Sequence, residues 1–140
     1  MDRRAGTRRD AAGRADTVSG FLDGALRAHA DGDLCAEAAA RLLIAGRWPD
    51  RDDFAGRFIT VATSPGSGTE VAVVDWPAAA GALGRSLPCS GGERRLLQVT
   101  ASLAAGIPVD LRDAVAGLDG RSARLVAGAV LHASGHRDMP

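Results

Sequence analysis

"FITVATSPGSGTEVAVVDW", residues 58–76, is where the hydrophobic period of this chain shortens to two. Two β-branched runs, 58–63 and 69–74, flank the segment "SPGSG". Ile59 and Val61, then Val71 and Val73, recur at strand spacing around a Pro/Gly/Ser turn. That pattern predicts a hairpin with a loop of about five residues. A lone hairpin is marginal in water, so helices must cover one face or another chain must pair with it.

On either side the period is helical. Val18, Phe21, Leu22, Ala25, Leu26 and His29 follow i, i+3, i+4, i+7 spacing, one apolar face of an amphipathic helix. "DGD" at 31–33 ends it, and Asp33 can cap a second helix carrying Leu34, Ala38, Leu42 and Leu43 and stopping at Gly46. "PDRDDF" at 49–54 has no EF-hand spacing and is interrupted by Arg51. It reads as a helix N-terminus, with Phe54 and Phe58 packing inward at i, i+4. After the hairpin come a short helix at "DWPAAAGALG", a strong one over 91–105, a brief one over 111–118 and a last one over 120–134. The fold class is therefore α+β: a mostly helical single domain, 17–136, with one β-hairpin. Its parts are a helical pair (17–46), a hairpin region (47–75) and a helical C-terminal half (76–136). Residues 1–16 hold five arginines and no large apolar side chain, the composition of a disordered basic tail.

The charge balance is 17 basic against 17 acidic residues, and every basic residue is arginine. A neutral chain lacks the basic excess of a sequence-independent nucleic-acid binder. Abundant Ala, Gly, Arg and Asp without lysine is the mark of a GC-rich bacterial genome. Two cysteines, Cys35 and Cys89, are too few for a disulfide scaffold. No apolar run reaches 18 residues, and no basic segment leads into an apolar one at the N-terminus. The expectation is a cytoplasmic protein with reduced thiols and no membrane partner.

"CSGGERRLL" at 89–97 looks like the signature segment of an ABC-type ATPase, and "AGLD" at 116–119 like its D-loop. Such a site needs a Walker A lysine, and the chain has no lysine. Counting back from "AGLD" places Arg112 and Asp113 where the magnesium-handling Asp-Glu pair belongs, and an arginine cannot hold magnesium. The same letters make a capping box: Ser90 accepts from the Glu93 amide and the Glu93 carboxylate reaches back to the Ser90 amide. Leu96, Val99, Thr100 and Leu103 then line one face of the helix, and Gly106 with Pro108 stops it.

"DWPAAAGAL", "LPCSGGERRLL", "ASLAAGIPVDLRDAVAGLD" and "VLHASG" together resemble a group of small proteins from high-GC actinobacteria. The resemblance implies a bacterial, cytoplasmic, single-domain chain and brings no activity with it.

Few constellations could carry chemistry. His132 and His136 are four apart, with His29, Cys35 and Cys89 available, but Ser134-Gly135 between them ends a helix. Cys89 precedes a helix N-terminus, which predicts a lowered thiol pKa. No base is identifiable for it, and no metal, cofactor or catalytic set is assigned. The remaining readings are interaction ones. The hairpin has open edges, and Ala123, Ala127 and Ala133 permit close approach of another helix, so a non-enzymatic protein-binding chain that forms a homodimer is expected. The rival is a helix-turn-helix DNA regulator built from helices 91–134, with Arg94, Arg95, Arg121 and Arg124 as contacts. "LPCSGGERRLL…LAAG" has a local likeness to the opening of response-regulator DNA-binding domains. Against it, "LVAGAVLHA" is apolar nearly all round, as in a buried packing helix.

Overall fold

The structure, a computed structural model, describes residues 20–136; the tail expected over 1–16 lies outside the described residues. Helix α1 (20–30) turns through Asp31-Gly32 into α2 (Leu34–Ala45). The Asp33 side chain caps α2 by accepting from the Ala36 N–H at 3.0 Å. A 3-10 turn (Trp48–Asp50) leads into α3 (Asp52–Phe58), strands β1 (Ile59–Thr63) and β2 (Glu70–Val74), and then α4 (Trp76–Ala82), α5 (Gly91–Ala105), α6 (Leu111–Ala116) and α7 (Gly120–Ala133). The fold is α+β, and among the described residues it is mostly helical with one antiparallel hairpin. Phe58 closes α3 and does not open the strand, because as the i+4 partner of Phe54 it turns into the core.

Two apolar clusters share α2 and α5. The first gathers Leu22 and Leu26 of α1, Leu43 of α2, Trp48, Phe54, Phe58, Ala72 of β2, Leu87 and Leu97 of α5. Trp48, Phe54 and Phe58 form a ladder of tilted rings with centroids 5.3 Å apart at each step, within the roughly 4.5–7 Å separation at which aromatic pairs attract. Gly46 is needed here, since a Cβ would lie 2.9 Å from the Trp48 indole. The second cluster holds Ala38 and Leu42 of α2, Leu96 and Val99 of α5, Ala114 of α6, and Val126 and Ala129 of α7. Its small residues let α2, α5 and α7 approach closely.

The expectation that α7 is buried nearly all round is corrected. Only Val126 and Ala129 are buried, while Ala123, Ala127 and Val130 are exposed. The helix packs on α2 and α5 from one side, so its other face is left to solvent.

In the hairpin, Ile59 lies opposite Val74, Val61 opposite Ala72 and Thr63 opposite Glu70. Just beyond the strands, the Asp75 N–H donates to the Phe58 carbonyl at 2.8 Å and the Ser64 N–H to the Thr69 carbonyl at 2.7 Å. Bonded pairs alternate along an antiparallel ladder. Counting inward by two makes Thr60–Val73 and Ala62–Val71 the bonded pairs. The N–H and C=O groups of Ile59, Val61 and Thr63 therefore point away from β2. Ile59 and Val74 pack on the first cluster, but every β1 residue after Ile59 is exposed.

Candidate interaction surfaces

Among the described residues large apolar side chains stand exposed on α1 (Phe21), α2 (Leu34), the hairpin (Val61 and Val73), α6 (Leu111 and Val115) and α7 (Val130). Leu111 and Val115 sit at i, i+4 on a six-residue helix whose single buried residue is Ala114. α6 therefore turns one small side chain inward and two large ones out. This is the reverse of ordinary amphipathic packing.

The four arginines selected as partner or nucleic-acid contacts do not form one exposed cluster. Arg121 and Arg124 are exposed on the first two turns of α7. Arg94 and Arg95 are half-buried, and their Nε atoms are buried with no hydrogen-bond partner among the described residues. The Arg95 guanidinium lies over Gly117, where a Cβ would have to displace it. It braces the start of α5 against the turn between α6 and α7. Arg94 reaches toward Gly84, on the opposite side.

At the start of α5 the Ser90 Oγ accepts from the Glu93 N–H at 3.1 Å, and Glu93 Oε1 accepts from the Ser90 N–H at 3.0 Å. That backbone bond is the main reason the Glu93 carboxyl sits below the usual carboxylate range. Beside this box is a residue whose role the sequence did not reveal. Arg51 grips both Asp53 oxygens at 2.9 and 2.6 Å and donates to the Pro88 carbonyl at 2.6 Å. Its guanidinium lies 4.7 Å from the Trp48 ring centroid and 3.9 Å from Glu93 Oε2. One side chain thus ties the start of α3 to the start of α5 and closes the rim of the aromatic ladder.

Cys89 departs from expectation. Burial pushes its thiol pKa up, and the neighbouring Glu93 carboxylate pushes the same way. Desolvation outweighs the two nearby arginines, Arg51 and Arg94, so the thiol lies above its ordinary pKa and not below it as the helix start predicted. His132 and His136 also part company. His132 Nε2 meets Glu37 Oε1 at 2.8 Å, across from α7 to α2, whereas His136 Nδ1 pairs with Ser134 Oγ at 3.1 Å. Glu37 Oε2 accepts from the Gly32 N–H at 3.0 Å, so this carboxylate fastens the α1–α2 turn and α7 together. Among the described residues no three His, Cys, Asp or Glu side chains are grouped to share a metal ion. No described helix is long and apolar enough to cross a membrane.

Compared with family models, with curated proteins and with solved structures, the chain gives no match.

Proposed function

We propose that this chain works by contact with other protein chains, its own included, and not by catalysis. The observation that carries the reading is apolar exposure on regular elements: Leu111 is 60% exposed, Val130 52%, Val115 46% and Val61 43%. Scattered apolar residues are normal on a surface. Here they sit on ordered helix and strand faces, alongside a hairpin with an open edge, and burying them in a partner would gain about 25 cal/mol per Å². The test is sedimentation of the full chain at rising concentration. The weight-average mass should climb toward that of a dimer and stay there in moderate salt, because apolar burial is not screened. A strictly monomeric chain overturns the self-association part of this reading.

DNA binding is the second reading, supported by the exposure of Arg121 and Arg124 on α7. With Arg94 and Arg95 engaged in packing, two of the four named arginines remain, and in the α6–α7 segment the exposed Arg112, Arg121 and Arg124 are balanced by the exposed Asp110, Asp113 and Asp119. No specific complex with genomic DNA fragments is expected at physiological salt. A sequence-selective complex abolished by Arg121→Ala would reverse the order of the two readings.

A further inference from the structure

We infer that the open edge of β1 is a self-pairing site, where β1 of a second copy lies antiparallel about a two-fold axis at Val61 and two hairpins become one four-stranded sheet. The inference rests on the self-association reading above and gives it a place and a register.

The two strands of the hairpin differ in what flanks them. α1 runs beside β2, and Gly24, Arg27 and Ala28 line a shallow cleft together with Thr69 and Val71. β1 is bordered by the last turn of α3 at its Ile59 end, and beyond that end no described group hydrogen-bonds the outward backbone of Val61 or Thr63. Natural edge strands are usually blunted by lysine, proline, a bulge or an inward charge. "ITVAT", residues 59–63, carries none of these and pairs with β2 in unbroken register.

Symmetry then fits the free groups. A two-fold axis at Val61 sets Ile59 opposite the partner's Thr63, Thr60 opposite the partner's Ala62, and Val61 opposite the partner's Val61. The outward groups belong to 59, 61 and 63, so in this register they face one another. A register one residue off would set them against groups already bonded within the partner's hairpin. The Ile59 N–H is already given to the Ala55 carbonyl. Four bonds remain: the Val61 N–H to the partner's Val61 carbonyl, the Thr63 N–H to the partner's Ile59 carbonyl, and their two symmetry mates. No charged side chain meets another along the seam. The two exposed Val61 side chains come together on the face that continues Ala72 and Val74, as a cross-strand apolar pair. A two-stranded sheet, marginal by itself, gains two strands.

Five-residue edges bury less than the ~1,200 Å² of a standard stable interface, so the dimer should form in the weak range, between about 10 μM and 1 mM. The test compares the full chain with Val61→Pro by sedimentation across that range. The Val61 N–H points away from β2, so proline there removes no bond from the hairpin. The wild type should dimerise and the variant should stay monomeric with a near wild-type melting temperature. A second measurement covers misfolding of the proline variant. In a Cys35→Ser, Cys89→Ser background, Val61→Cys should oxidise to a covalent dimer, since bonded antiparallel pairs bring Cα atoms to ~5.5 Å, within disulfide reach. Val130→Cys in that background should not. A wild-type chain still monomeric at about 1 mM overturns this inference and the self-association reading together. A dimer that survives Val61→Pro, or that cross-links at 130 and not at 61, overturns the β1 edge alone.

Discussion

The two apolar clusters share helices α2 and α5 and yet fill their space in opposite ways. The first is built from rings, with Trp48, Phe54 and Phe58 packed as tilted neighbours and each nearly or fully buried. The second is built from small side chains, with Ala38, Ala114 and Ala129 letting helices close on one another around Leu42, Leu96, Val99 and Val126. Each has a polar clamp at its rim. For the ring cluster it is Arg51, a permanent cation gripping Asp53 and lying over Trp48. For the small-residue cluster it is the Glu37–His132 pair, in which the carboxylate is a titrating group. The comparison teaches that the ring cluster should be sensitive to lost volume, and the small-residue cluster to added volume and to pH.

The largest effect should follow removal of a ring. Trp48→Ala should destabilise the fold by about 3–5 kcal/mol, the usual loss for a buried aromatic. It would also remove the surface on which Arg51 rests. In the other cluster, Ala38→Leu should cost about 1–3 kcal/mol by overpacking, because Ala38 is fully buried on a helix that contacts both α5 and α7. Denaturant melts of both variants check the pair. If Ala38→Leu is silent, the second cluster has room and the proposed difference between the clusters disappears.

A smaller effect probes the corner where the ring cluster meets α5. Ser90→Ala should lose roughly 0.5–2 kcal/mol, the ordinary loss of an N-cap. Glu93→Gln should be milder, since glutamine can still accept the Ser90 N–H. What it gives up is the 3.9 Å attraction to Arg51, weak for a pair this exposed. If Glu93→Gln proves as damaging as Ser90→Ala, the charge link to Arg51 matters more to this corner than the cap.

How much of this was legible in the sequence follows from the range of each signal. The hairpin was legible because β-branched alternation and a Pro/Gly/Ser turn are local. Its expected runs, 58–63 and 69–74, differ from the observed strands by one residue at each start. The Phe54–Phe58 pair was legible for the same reason. Arg51 was seen as an interruption of an acidic stretch, because its partner carbonyl on Pro88 lies 37 residues away. Glu37 and His132 are 95 residues apart and no periodicity links them. Cys89 was misread because the helix terminus is visible in the sequence and the burial that raises the thiol pKa is not. α7 was misread because its "LVAGAVLHA" portion is apolar nearly all round, and composition does not say how many neighbours a helix has. The common limit is tertiary placement, which decides what meets Arg95, Glu37 and Val130.

The smallest expected effect sharpens the comparison at the second clamp. Glu37 is held below its ordinary 4.5, first by its hydrogen bond to His132 and next by the Gly32 N–H. A carboxylate depressed in the folded state contributes stability that is fully present above its ordinary pKa. That contribution fades as pH falls through the folded value. Glu37→Gln should therefore melt below the wild type at neutral pH, and the gap should close as the pH is taken down through 4.5 and beyond. The pair is partly exposed, at 27% and 19% for the two side chains, so the gap should be modest and should shrink with salt. Repeating the comparison in a His132→Asn background isolates the clamp. The main cause of the depression is then gone, and Glu37→Gln should change the melting temperature less, with a flatter dependence on pH. A gap that is the same at every pH, or the same with and without His132, would mean that Glu37 acts only by packing and by holding the α1–α2 turn. The small-residue cluster would then have no titrating clamp to set against the permanent charge of Arg51.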